Sequence, residues 1–534
     1  MQGPVSRIYE GLRTDREPFL MRGRRCAEFT IPSLLPYAGH TAADPFVTPY
    51  NSIGARGVNN LAAKLLLTLL PPNEAFFKLD VDDLTAQKIA QQPDAQTQID
   101  SALATIERAI VHKIETRPYR PILYTALKQL LVSGNYLLFI QKDAAVRGFR
   151  LDQFVVRRDP AGHLLEIVIR ECVDPKTLPE DVQKLIAEDL SQPNSANDEA
   201  VSEKAAVPAR KNVDLFTYVS LQGKQYEQHQ EIFGKIIPGS KAKYPMTKSA
   251  WLPLRWSTQE GEDYGRSYCE EYLGDLISAE ELRRAVVQGA AIAAKILFLV
   301  KPNAVVKVDD LTDTESGGFV TAAHDDVIAL QVDKRMDLQA ASAEIQDLNN
   351  KLAFAFLLNT AIQRNGERVT AEEIRYMARE LEDALGGSYS MLSQELQLPL
   401  IQRIMAVMQR AGEIPSLPEN VVQPTITTGL DALGRGNDLN KLDQFLAGAA
   451  QAIGPQVLAQ YLNVSDYLSR RATALGVNTE GLIKSQDEVQ AEQQQQQQAA
   501  MAQQAIPHAI KGASDLMGKA MDQQPGPEAN AQSQ

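Results

Sequence analysis

Arg364 and Arg368 bracket the dipeptide Asn365-Gly366, and this spacing is the feature of the chain best suited to chemistry. Asn-Gly favours a tight turn, because both residues tolerate left-handed backbone. A loop that carries two guanidinium groups between long helices can project into a shared space. There it would make salt-sensitive contacts with phosphates without reading base sequence. A helix is predicted to follow over 370–385, with Thr370 as N-cap and Glu373 at N3 in a capping box. Ile374, Met377, Leu381 and Leu385 form its apolar stripe, with Arg375, Arg379, Glu382 and Asp383 opposite. Pairs such as Arg379 with Asp383 contribute about 0.2–0.5 kcal/mol each, and a solvated face is their commoner meaning. Gly386-Gly387 ends or hinges this helix.

Other candidate chemistry is weaker. "GKIIPGSK" (Gly234 to Lys241) approaches the phosphate loop G-x-x-x-x-G-K-[ST], but its Ser and Lys are in the wrong order. Its surroundings read as strand and loop, whereas a phosphate loop opens a helix, so an ordinary β-turn is the plainer explanation. "GLDALGRGNDL" (Gly429 to Leu439) has close glycines but no preceding strand. The pairs Asp309-Asp310 and Asp325-Asp326 could hold a metal, but isolated acidic pairs are usually surface solvation. Neither G-x-S-x-G nor H-E-x-x-H occurs, and the six histidines are scattered. No metal, cofactor or catalytic group is expected.

The chain has 534 residues, 44% hydrophobic and 23% charged, which is a globular composition. At about 150 residues per domain, three or four modules are expected, or one interleaved body. The net charge of −13 disfavours a protein that coats nucleic acid, although it leaves local basic rings possible. Three distant cysteines, Cys26, Cys172 and Cys269, argue against a disulfide framework and fit a reducing cytoplasm. The N-terminus lacks the apolar core of a secretory signal. The most apolar stretch, Ala285 to Val300, contains Gln288 and Lys295, so no membrane span is expected.

The elements that would position the arginine loop follow from periodicity. Helices are predicted over 5–30, with an irregular apolar face of Ile8, Leu12, Phe19 and Met21, and over 52–70, 98–117 and 119–133. Strands follow in "YLLFIQ", "FRLDQFVVRRD" and "HLLEIVIREC", and again over about 213–256, with a polar mobile loop at 191–211 between them. Ser278 and Glu281 form a capping box that would open a helix reaching Val300, roughly 33 Å long. Residues 301–336 read as strands, and Leu338, Ala341, Ile345, Leu348, Leu352 and Ala355 then form a helical stripe. A helix over 389–411, bent near Pro399, and a helical cluster over about 428–482 follow. The text from Ser485 onward is a low-complexity, glutamine-rich tail.

Four blocks resemble the portal (head-to-tail connector) proteins of short-tailed, autographivirus-type phages. They are "GARGVNNLAAKLLLTLLPP" (Gly54 to Pro72), "YGRSYCEEYLGDL" (Tyr264 to Leu276), "RNGERVTAEEIRYMARELEDALGGSYSMLSQELQLPL" (Arg364 to Leu400) and "TTGLDALGRGNDLNKL" (Thr427 to Leu442). The resemblance runs from about residue 6 to 480. It implies an α+β, mainly helical subunit of a dodecameric ring around a channel for double-stranded DNA, with a wing at 1–267 and stem helices at 268–300 and 337–362. It further implies a clip insert at 301–336, a channel loop and following helix at 363–387, and wing-return and crown helices at 388–484, with the tail at 485–534 unmatched.

In such a ring a wall residue recurs in every subunit, so one arginine becomes a band of charge. A mostly acidic wall would repel phosphate and keep the duplex centred, and a few basic positions would give weak contact. Arg364 and Arg368, with Asn365 and Gly366, are therefore expected to face DNA. The competing fate is a salt bridge between subunits, to Glu367 or Glu372. The implied partners are further copies of the chain, double-stranded DNA, the terminase large subunit, a tail adaptor, major capsid and scaffolding proteins, and internal core proteins. The implied location is the capsid portal vertex, reached from the host cytoplasm. Two rival readings are a nucleotide hydrolase using Gly234–Lys241 and a helical scaffold with no channel.

Overall fold

The computed structural model describes residues 3–41, 43–72, 76–81, 93–191, 212–293, 297–302, 327–330, 335–358, 380–381, 383–417, 422–426 and 444–452, with isolated positions between and beyond them. The chain divides into two compact units, Met1–Ala432 and Leu433–Gln534. In the second unit, residues 444–452 are helical and Arg471 donates to the Tyr467 hydroxyl at 2.7 Å.

The first unit opens with helix Pro4–Glu28, whose buried face is Val5, Tyr9, Arg16, Leu20 and Cys26. The expected apolar face was partly misplaced, since Met21 is exposed. The reason is that Arg16 acts as an inward residue: its Nη1 donates to the Asp152 carbonyl at 2.9 Å and to the Tyr9 hydroxyl at 3.0 Å. Its guanidinium therefore finds backbone partners under the adjoining sheet, as a buried charge requires.

Helices Ile53–Leu69, Pro93–Thr116 and Tyr119–Ser133 follow, the last ending at Gly134 in left-handed backbone, φ +74°. Strand Asn135–Ile140 is central in a three-stranded sheet between Trp251–Arg255 and Val146–Phe149. Its near-continuous burial explains the apolar run "YLLFI". A larger antiparallel sheet runs Phe154–Arg158, Leu164–Val173, Val213–Gln222, Gln225–Ile232 and Lys235–Ile236, with Ala242–Pro245 also on the fourth of these strands. The polar 191–211 segment lies outside the described residues from 192 onward.

Gly234–Lys241 belongs to this sheet. Gly234, φ +81°, turns strand Gln225–Ile232 back into Lys235–Ile236, and the Ser240 hydroxyl receives the Gln230 N–H at 3.1 Å. The segment is a hairpin with no helix after it, so Lys241 has no helix N-terminus from which to hold phosphate. That removes the structural basis of the nucleotide-hydrolase reading.

Two long antiparallel helices, Leu273–Ala293 and Arg335–Ala355, stand against each other. The expected start at Ser278 is corrected: the helix opens at Leu273, leaving Ser278 and Glu281 exposed within it. The cap lies earlier, in the short turn Tyr268–Glu271, where the Ser267 hydroxyl accepts the Glu270 N–H at 3.1 Å. Ser267 and Glu270 have the same S-x-x-E spacing as Ser278 and Glu281, and spacing alone could not rank the two sites. The far end differs as well. Leu297–Val300, expected as helix, is a strand paired antiparallel with Val327–Leu330. A short apolar run fits either state, and here pairing with "VIAL" decides it.

The expected bend near Pro399 is a π-helical turn, Ser393–Gln397, between helices Gly387–Leu392 and Leu398–Ala411. Proline supplies no N–H, and widening the preceding turn is a common way to accommodate the loss. The wider turn presents Glu395 to Arg255, whose backbone N–H and Nε each donate at 2.9 Å. Among the described residues, no helix is long and apolar enough to cross a membrane.

Candidate nucleic-acid interface

Arg364, Asn365, Gly366, Arg368, Thr370 and Glu373 lie outside the described residues. The structure does describe what holds the two ends of the segment that contains them. Gly57, Asn60 and Lys64 share one face of helix Ile53–Leu69, at helical spacings of three and four. A Cβ on Gly57 would come within 2.5 Å of the Phe356 ring, so only glycine lets that ring settle on the helix. Phe356 is fully buried, edge-on to Tyr268 at 5.7 Å.

Helix Arg335–Ala355 ends here in a Schellman-type turn. Leu358 N–H bonds the Ala353 carbonyl at 2.7 Å, and Leu357 N–H bonds the Phe354 carbonyl at 3.1 Å. Leu357 occupies the left-handed position, φ +53°, normally given to glycine. That geometry costs a branched side chain about 1–2 kcal/mol. Side-chain donors from other elements offset the cost. The Tyr268 hydroxyl donates to the Ala355 carbonyl at 2.7 Å, and Asn60 Nδ2 donates to the Phe356 and Leu357 carbonyls at 3.1 and 3.0 Å. Lys64 Nζ donates to the Leu357 carbonyl at 2.9 Å. The lysine also complements the negative end of the helix dipole. This helix thus breaks at Ala355, short of the expected 362, at a turn whose lack of glycine or asparagine leaves no local signal of the end.

The same lysine reaches the far side of the segment. Lys64 Nζ lies 3.3 Å from Glu380 Oε2, and both side chains are largely shielded from water. Met377, Leu381 and Leu385, three members of the expected stripe, are buried. The chain then turns at Gly386, φ +41° and ψ −108°, into helix Gly387–Leu392. Gln397, fully buried, donates to the Leu69 carbonyl at 2.7 Å and so fixes the end of the helix that carries Lys64. A single buried lysine therefore joins the chain entering the arginine segment to the chain leaving it. Neither Asn60 nor Lys64 was singled out in the sequence, where they sit in an ordinary amphipathic helix.

Residues 2–483 match the family described as bacteriophage head to tail connecting protein. The chain belongs to this family. The portal protein of Escherichia phage T7 is 38% identical over 533 residues, covering 98% of this chain and 95% of that protein. The portal protein of Enterobacteria phage T3 is 40% identical over 489 residues, covering 90% and 88%. The more distant portal protein of Enterobacteria phage SP6 is 28% identical over 512 residues, covering 95% and 96%. Membership of the head-to-tail connecting family makes the chain a component of the phage particle where head meets tail. The Lys64 anchor is a feature of this connector's own fold.

Proposed function

We propose that copies of this connector close into a dodecameric ring at one capsid vertex, around a channel through which double-stranded DNA is packaged and later ejected. In this reading the long helices form the stem wall and the insert 301–336 forms the clip at one end. Arg364 and Arg368, with Asn365 and Gly366, face the duplex, where weak phosphate contact retains DNA without stopping its sliding. The terminase large subunit and the tail adaptor dock in turn on the clip. Major capsid, scaffolding and internal core proteins contact the outer and inner surfaces. The ATPase that drives packaging belongs to a partner, and this chain is structural.

The observation that carries the reading is the anchor. Lys64 ties Leu357 to Glu380 across the segment that contains both arginines. A segment meant to meet moving DNA needs such footing, because its load must pass into the body of the subunit. The names of the T7 and T3 relatives, both portal proteins, support the same reading.

The test has two parts. Electron microscopy of the purified chain should show closed rings with an open axis; filaments or dimers would favour the helical scaffold. In assembled particles, Arg368→Ala should lower the fraction of filled heads that retain DNA, and unchanged retention would remove the arginine assignment.

A further inference from the structure

The antiparallel helix pair carries opposite charge on its two sides. Gly289 lies against Leu338, whose Cδ2 would be 3.3 Å from an added Cβ. In an antiparallel pair the residue numbers of facing positions have a constant sum, so this contact sets Arg283 at the height of Glu344 and Val287 at that of Ala340. Asn51 agrees with this alignment: its N–H donates to Glu280 and its Nδ2 to Asn349, each at 2.9 Å. The seam between the helices is Ala279, Leu282, Val286 and Gly289 on one and Leu338, Ala341, Ile345 and Leu348 on the other.

At roughly 100° per residue, Arg283, Val287 and Ala290 lie about a quarter-turn from that seam on the first helix. Asp337, Ala340 and Glu344 lie a quarter-turn from it on the second helix, and on the opposite side of the two-helix layer. All six are exposed. Arg283 and Glu344 form no hydrogen bond or ion pair among the described residues; their neighbours Arg284 and Asp347 are paired to Glu280 and Lys351. One side of the layer therefore presents the Arg283 cation beside a 40% exposed valine, and the other presents the carboxylates of Asp337 and Glu344 beside an alanine, with Lys351 of the same helix acting on Glu344 through space.

We infer that this layer is a self-adhesive slab: the Arg283–Val287–Ala290 side of one copy docks on the Asp337–Ala340–Glu344 side of a second copy at the same height. The contact is heterologous, joining two different patches, and repeats without a two-fold axis, as a ring requires. It places Arg283 against Glu344 of the next copy and buries Val287 on that copy's Ala340. The inference rests on the ring reading above and names the surface that closes the ring.

The experiment uses the full-length chain with Cys172, the exposed cysteine, replaced by serine. Val287→Cys is combined with Ala340→Cys at matched height, and in a control with Asp347→Cys, seven residues and about 10 Å out of step. Mild oxidation should give a ladder of covalent multimers from the matched pair and none from the control. Separately, Arg283→Glu and Glu344→Arg should each lower the ring fraction severalfold at physiological salt, and the two together should restore it. Rings that form but give no matched ladder, or a ladder from the offset pair, would overturn this surface and leave the ring intact. If the unmodified chain forms no rings at all, the underlying ring reading fails and the inference fails with it.

Discussion

At its Phe356 end the helix pair is closed by its own chain. Phe356 and Leu352 are fully buried, Gly57 gives the ring room, and Asn60, Lys64 and Tyr268 occupy the terminal carbonyls. Toward the other end of the pair, Val287, Ile292 and Met336 are 40%, 60% and 78% exposed. The two helices are continuous along this length, so the contrast does not come from secondary structure. Apart from Phe354, which is 78% exposed, it separates a part packed within one subunit from a part left for other molecules, and substitutions at the two ends should act on different observables.

The largest expected effect is at the closed end. Phe356→Ala empties a fully buried site and should destabilise the subunit by about 3–5 kcal/mol, read by denaturant unfolding. Lys64→Met keeps the aliphatic stem but leaves the Leu357 carbonyl with one donor fewer and Glu380 without its cation. It should cost about 1–3 kcal/mol by the same measurement, and a loss near zero would mean that Lys64 is no anchor. At the open end, Val287→Ser should change subunit stability by less than about 0.5 kcal/mol while lowering the ring fraction seen by mass photometry. Equal effects of Phe356→Ala and Val287→Ser on unfolding would erase the contrast.

A chemical probe gives a smaller readout. Burial pushes the Cys26 thiol up to about 11 and raises that of Cys269 as well, whereas Cys172 is exposed. Alkylation of the native chain should therefore modify Cys172 alone, with the other two reacting only after denaturation. Faster labelling of Cys269 in Phe356→Ala would show that the closed end has loosened. The smallest effect concerns Glu262, whose carboxyl is held below its usual value by the hydrogen bond from Arg266. Its contribution is present above the unfolded carboxylate value and is lost as pH falls through the lowered folded value. Melting curves of the parent and Glu262→Gln should thus converge as pH falls below about 4.3, the unfolded carboxylate value.

Much of the scaffold was legible because it depends on periodicity. The stripe Leu338, Ile345, Leu348 and Leu352 faces inward as its spacing indicates, and "YLLFI" is a buried strand. The misreadings share one cause, which is that local signals were outranked by distant partners. Ser278 has the spacing of a cap, but the chain is already helical before it reaches Ser278. "LFLV" continues a helical text yet pairs with Val327–Leu330, a partner some thirty residues away. The end at Leu357 carries no glycine because its stability comes from Asn60 and Lys64, nearly three hundred residues earlier. The arginine segment was legible only as an expectation of phosphate contact, drawn from residue type and lying outside the described residues. Its footing was not, because Lys64 resembles any other lysine on an amphipathic helix until the tertiary structure brings it to Leu357 and Glu380.

The turn after Ala355 also has a mechanical meaning. Three side chains rooted in two other helical elements, Asn60, Lys64 and Tyr268, grip consecutive carbonyls there. A tug on the chain beyond Leu358 loads these grips side by side, so they must yield together and cannot peel off in turn. Such parallel rivets make a joint far tougher against a brief jerk than its modest resting strength suggests.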